Sequence, residues 1–468
     1  MLFNSLEYIF FFLIAIVVHY SLPKQWRWVF LLSASYYFYM CWKVEYIALI
    51  ILSTMVDYWA GLQMGKQKEK RKRKKFLYAS LTVNLGLLFF FKYYDFFTDN
   101  VEVAFSQFNL FYEFPHFDLL LPVGISFYTF QTLSYSIDVY RGEIEPERHL
   151  GYFALYVTYF PQLVAGPIER ADSLIPQLKT EAKVTNEDVR YAINKILLGF
   201  FKKVVVADTA AVYVNHIYGN IDGSTGIQMY IAMIAFGLQL FGDFSGYSDI
   251  AIGTARLFGV RLMENFNKPY WVQNIREFWA RWHISLSHWI RDYMYRPLLD
   301  VKKSIRNNDL YRGMVTIVVF VAIGIWHGAD WTFVYYGALQ GGVMIIQRFT
   351  TPLMKPWRDN RIYRWWNAWF QLQIIILGTA FFRGQTIDDS WLIMEKLFTD
   401  FRLDIGELFM LYRFELFLSF LVGWICFSTQ YFNKELRFKY NWLYILTALG
   451  LIMLFGRDSS EQFIYFQF

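Results

Sequence analysis

Charge is what this 468-residue chain has least of: Asp, Glu, Lys and Arg together make up 18% of it, against roughly 25% in an ordinary soluble domain. A chain of this length would otherwise divide into about three soluble domains. Cysteine is almost absent, with only Cys41 and Cys426, which excludes a disulfide framework and a cysteine-based zinc site. The net charge is +6, too small for a chain this apolar to remain disordered. Hydrophobic residues fill 56% of the positions and aromatics 21%, and the mean hydropathy is +0.25. Too few polar side chains remain to clothe that much apolar surface in water. The composition is that of a polytopic membrane protein.

The apolar runs are long and continuous, as at 44–64, 76–97, 227–241, 408–428 and 440–456. A transmembrane barrel would show alternating segments of about ten residues instead, so the expected fold class is all-α. The only charge ahead of the first run is Glu7, and the first lysine is Lys24. Residues 6–22 therefore read as a retained span with its N-terminus outside, not as a signal peptide. The segment Lys66–Lys75, KQKEKRKRKK, holds eight Lys/Arg against one Glu. Such a run can bind anionic lipid or nucleic acid; after three spans (6–22, 28–42 and 44–64) it reads as a cytoplasmic loop, with no nucleic-acid partner expected. The acidic residues Asp99, Glu102, Glu113 and Asp118 then mark an outer loop. Residues 264–312, with nine Lys/Arg and five Asp/Glu, and 355–364, with four Lys/Arg and one Asp, return to the cytoplasm. The chain reads as one domain, 1–468, of about eleven transmembrane or re-entrant helices.

Two segments carry chemistry. Residues 271–290, WVQNIREFWARWHISLSHWI, put Trp271, Ile275, Phe278, Trp279, Trp282, Leu286, Trp289 and Ile290 on an arc of about 120° of a helical wheel. Arg276, Arg281 and Arg291 lie on the opposite side, and His283 just beyond the apolar edge. This predicts an interfacial helix on the cytoplasmic face, an anchor whose basic side suits the phosphates of an acyl donor. The second segment is 313–330, GMVTIVVFVAIGIWHGAD. From Arg312, fifteen residues of helix rise about 22 Å, short of the roughly 30 Å hydrocarbon core, so His327 falls inside the membrane at the turn marked by Gly328. An imidazole there is neutral at pH 7 and able to accept a proton; the alternative is a buried structural histidine. Asp330 is a weaker candidate to orient that ring. Asp243 and Asp249, also intramembrane by this reading, are expected to hold hydrogen bonds within the bundle. His19, His116, His149 and His216 read as structural.

Five stretches resemble the membrane-bound O-acyltransferase family, in particular its alginate O-acetylation branch: LPVGISFYTFQTLSYSIDVYRGEI (121–144), YFPQLVAGPIER (159–170), FGDFSGYSDIAIGTARLFG (241–259), FWARWHISLSHWIRDYMYRPL (278–298) and GIWHGADWTFVYYGALQG (324–341). The resemblance implies a ring of tilted helices around a narrow channel that crosses the bilayer. It places the family's intramembrane histidine on His327 and its second, cytoplasm-side polar residue on His283. It implies acyl transfer to a hydroxyl from a cytoplasmic thioester, acetyl-CoA being the expected donor, with no tightly bound cofactor and no metal. His327 would take the hydroxyl proton while His283 positions the donor. The resemblance further implies a bacterial cytoplasmic (inner) membrane location, a separate periplasmic or surface acetyltransferase as partner, and a polysaccharide as final acceptor. Two alternatives stay open: D-alanyl transfer to teichoic acid on the same fold, and a secondary transporter.

The C-terminal tail, 457–468, is apolar and aromatic, and is expected at the outer face. One reading lays it in the outer interface as an aromatic belt. The other folds it back into the channel, since eight residues from Arg457 to Tyr465 reach up to about 27 Å. The ending F-I-Y-F-Q-F resembles the terminal motif of the small partner protein in the D-alanylation system, whose tyrosine hydroxyl carries the acyl group. Tyr465 is thereby a candidate acyl relay.

Overall fold

The structure is a computed structural model. It describes the chain except residues 111, 118–119, 181–182, 358, 403–405, 407–409, 419–420, 422–440, 458–462 and 465–468. Tyr465, Asp118, Cys426 and most of the expected 408–428 span lie outside the described residues. Those described are helical, with no strand among them. Four helices are long and apolar enough to cross a membrane: Val44–Gly65, Lys70–Ser106, Gly226–Leu257 and Asp309–His327. Leu6–Ser21 and Asn441–Phe455 are shorter apolar helices.

The chain forms two compact units: Met1–Ala192 with Ala251–Met263, and Ile193–Ile250 with Glu264–Phe468. In the first, Ser5 opens the Leu6–Ser21 helix by accepting from the Tyr8 amide, 3.2 Å, as serine does at N-caps. The basic run expected to be a loop is only partly one, because helix starts at Lys70; Lys and Arg are good helix formers once the chain has turned. Ile125–Arg141 is buried along nearly its whole length and bounded by Gly124 and Gly142, both at positive φ. The buried carboxylate of Asp57 accepts from Ser80, Asn84 and Ser136, tying Ile47–Gly65, Lys70–Leu88 and Ile125–Arg141 together. Polar side chains in such a setting join helices because nothing else in an apolar interior satisfies them.

In the second unit Asp309–His327 and Trp331–Leu353 form a tight antiparallel hairpin. Its closeness depends on glycine. A Cβ on Gly324 would stand 2.1 Å from the Phe333 carbonyl oxygen, and one on Gly337 would stand 2.3 Å from that of Phe320. Gly337→Val therefore forces the two helices apart and is expected to cost about 2 kcal/mol or more. Gly342→Ala, where the added Cβ has nothing within 4 Å, changes stability by no more than about 0.5 kcal/mol. Thermal unfolding of the two variants in detergent, followed by size exclusion, checks the contrast.

The helix expected over 271–290 is not continuous. Ile275–Trp279 and Ile284–Ile290 are separate helices, and His283 between them has φ 44° and ψ 57°. Side chains of the apolar arc, Trp279, Trp282 and Trp289 among them, are buried in the protein at 6–7% exposure. The wheel identified the buried face correctly but missed the break.

Candidate active site

His327 is the last residue of its helix. Gly328 ends it in an extended conformation, and a Cβ there would collide with the Phe333 ring at 2.1 Å, so the glycine of W-H-G makes room for the aromatic wall. Asp330 begins the next helix, its carboxylate accepting the Thr332 amide at 2.7 Å. That N-cap, a helix-starting role, is the job the structure gives Asp330, rather than orienting the imidazole. His327 is 4% exposed and lies against the rings of Trp326 (4.9 Å), Phe382 (5.2 Å) and Tyr336 (6.5 Å). It borders a narrow void of about 30 Å³ walled also by Leu240, Tyr270, Phe278 and Trp282. This is room for a water-sized group.

His283 is fully buried. It sits 4.7 Å from Phe244 and 5.9 Å from Trp326, ring to ring, so Trp326 packs against both histidines. Its Nδ1 and the Asn265 side-chain oxygen are 3.2 Å apart. That same oxygen accepts from the Ser285 amide and hydroxyl, and the Asn265 carbonyl accepts from the Ile284 amide. Asn265 thus clamps the left-handed turn at His283, a conformation that costs a non-glycine residue of order 1–3 kcal/mol and tends to occur at functional sites.

A second cavity is much larger, about 880 Å³. Arg276, Arg291, Arg312 and Arg348 line it with His288 and Asp309, and its apolar part includes Trp279, Phe320 and Ile323. Consecutive residues face the two spaces: Trp279 the large cavity, Phe278 the void at His327. His283 and Arg281 line neither of them. Of the three arginines expected to hold a donor, Arg276 and Arg291 are at the large cavity. Arg281 instead pairs with Glu277 and donates to the carbonyls of Lys268 and Trp271, bracing the turn. Arg348 escaped the sequence reading, although a signal existed: Arg312 and Arg348 are equidistant in sequence from Asp330, so a hairpin turning there brings them to one end.

The chain's relatives accord with this site. Residues 86–384 match the family described as MBOAT, membrane-bound O-acyltransferase family. The chain belongs to the membrane-bound O-acyltransferase family. It is an O-acyltransferase, and the transporter alternative is set aside. It is 36% identical over 401 residues to the "Probable alginate O-acetylase AlgI" of Azotobacter vinelandii, covering 85% of this chain and 78% of that one. It is 31% identical over 411 residues to the "Peptidoglycan O-acetyltransferase" of Helicobacter pylori, covering 80% and 73%. The "Teichoic acid D-alanyltransferase" of Bacillus subtilis matches at 29% over 283 residues, 57% of this chain and 68% of that one.

In this family member the remaining titratable groups have structural settings. His149 caps the Leu150–Thr158 helix, and His216 stacks on Tyr412 at 5.1 Å. His19 is buried edge-on against Phe258; His116 lies 3.5 Å from Asp95 in the exposed acidic segment. Asp249 is paired with Lys195 and Lys202, and Asp243 with Lys203. The bundle's acids therefore hold ion pairs, a stronger form of the hydrogen bonding expected of them.

Proposed function

We propose that this membrane O-acyltransferase moves an acetyl group from a cytoplasmic acetyl-CoA across the bacterial inner membrane for O-acetylation of a cell-surface or secreted polysaccharide. The observation that carries the reading is the pairing of spaces: a large cavity with four arginines beside a water-sized void at a buried histidine. The arginines suit the phosphates of the donor as bidentate, charge-assisted partners. The void at His327 admits little more than a hydroxyl and the thioester carbonyl. In the transfer His327 takes the hydroxyl proton as the oxygen attacks the thioester carbon. The C–S bond then breaks, and the proton passes to the leaving thiolate. His283, held by Asn265, keeps the donor side of the wall in register. About eleven helices around a channel, with the N-terminus outside and the basic segments inside, give the topology this route requires. A separate periplasmic or surface acetyltransferase completes delivery to the polymer. D-alanyl transfer is the weaker reading, its named relatives matching a smaller share of the chain.

Inside-out membrane vesicles that contain the protein should incorporate label from acetyl-CoA as a hydroxylamine-sensitive ester; incorporation only from a D-alanyl thioester would replace acetyl by D-alanyl. Arg276→Gln, Arg291→Gln, Arg312→Gln and Arg348→Gln should each weaken donor binding, by about tenfold where a charge-assisted bond is lost. Arg281→Gln should instead lower stability with donor affinity retained. Titrating purified variants with a non-hydrolysable CoA thioester analogue measures the difference.

A further inference from the structure

Phe463 and Ile464 are the last described residues of the tail, and they are 1% and 5% exposed. They rest on charge. Lys203 Nζ lies 2.8 Å from Asp208 Oδ1 and 2.8 Å from Asp243 Oδ1, all three side chains being 2% exposed. Lys203 belongs to a π-helical stretch, Phe201–Ala207, a deviation found often at functional positions. One ammonium between two carboxylates leaves the cluster with an excess of negative charge, and a buried carboxylate needs a donor for each oxygen. Lys203 serves Asp243 Oδ1. The Ile464 backbone amide serves Oδ2, donating at 2.9 Å. The Phe463 ring completes the contact, 4.6 Å from Lys203 Nζ and edge-on to Tyr247 at 4.8 Å, an arrangement that favours a desolvated cation.

The position of this cluster gives it meaning. Asp243 and Tyr247, one turn apart on the Gly226–Leu257 helix, hold the tail. Leu240 and Phe244, one turn apart on a neighbouring stripe, face the histidines: Leu240 borders the void at His327, and Phe244 packs 4.7 Å from the His283 ring. Asp243 is turned by about 60° from Leu240 and about 100° from Phe244. The same two turns of helix therefore carry the tail on one side and the proposed chemistry on the other.

We infer that Asp243, braced by Lys203, is the positioning residue for the C-terminal segment, setting its register through the Ile464 amide so that the next residue, Tyr465, is delivered to the histidine site. This rests on the reading of Tyr465 as the acyl relay. Backbone recognition suits the task, because a bond to the main chain fixes register whatever the side chain. The Tyr465 Cα is then held about 3.8 Å from that of Ile464 by the peptide bond.

The test is hydrogen exchange, read by mass spectrometry on the C-terminal peptide of the full-length protein in detergent. Asp243→Asn should speed exchange of the Ile464 amide about tenfold or more, as loss of a hydrogen bond to a charged acceptor implies. The same variant should lower kcat with the donor KM unchanged. If Asp243→Asn does not accumulate, Ile464→Pro removes the donor alone and leaves the ion cluster intact. The tail of Ile464→Pro should exchange faster than that of Ile464→Ala, which keeps the amide. A tail as protected in Asp243→Asn as in the parent protein, or in Ile464→Pro as in Ile464→Ala, overturns the inference. Tyr465→Phe separates it from the relay: normal transfer in that variant, with a tail that Asp243→Asn releases, removes the relay and leaves the docking site standing.

Discussion

His327→Ala is expected to reduce acyl transfer at least about a hundredfold, the low end of what a positioned general base contributes, with the protein still folded and inserted. The loss should fall on turnover, because the donor phosphates are held by arginines at the large cavity and not by the imidazole. His327 is packed against Trp326, Phe382 and Tyr336, so alanine also leaves a gap. His327→Gln fills more of that gap without supplying a base, and is expected to be just as inactive. Unchanged donor affinity with turnover lost, measured on both variants, supports proton removal by His327. Transfer restored by glutamine would make its role packing.

Tyr465→Phe is expected to have an effect of the same order on acetylation of the polymer. It removes one oxygen and keeps the ring. A phenol on the chain's own tail solves a physical problem, since a polysaccharide does not fit a void of about 30 Å³. In the proposed sequence the phenol oxygen attacks the thioester, His327 receives its proton, and the aryl ester is collected outside by the partner transferase. Of the two readings of the tail, the burial of Phe463 and Ile464 supports the inward fold over the aromatic belt. Digestion after incubation with labelled acetyl-CoA should find label on the C-terminal peptide of the parent protein, and none on that of Tyr465→Phe. Normal polymer acetylation by Tyr465→Phe would reduce Tyr465 to a packing residue.

The fold class was legible because composition alone forbids a soluble surface, and His327 because an ionisable residue next to a glycine turn is rare in so apolar a segment. The break at His283 was not. A helical wheel assumes one continuous helix, whereas the turn is clamped from outside by Asn265. The same assumption grouped Arg281 with Arg276 and Arg291, although the break directs Arg281 to Glu277 and two carbonyls. The basic run was correctly placed ahead of a span, but Lys70 onward is already helix, since charge content says little about backbone conformation. Asp243 was legible as a bundle acid. Its partners, Lys203 and the Ile464 amide, come from 40 and 221 residues away, a distance no local pattern spans.

The most direct test of the central claim, that this chain supplies acetyl groups to a surface polysaccharide through His327, is glycan mass spectrometry on a deletion strain complemented with parent or His327→Ala protein. One acetyl ester mass should disappear from one polymer on deletion, return with the parent protein, and not return with an equal amount of His327→Ala in the membrane. Full recovery of that ester with His327→Ala, or no ester lost on deletion, would contradict the claim.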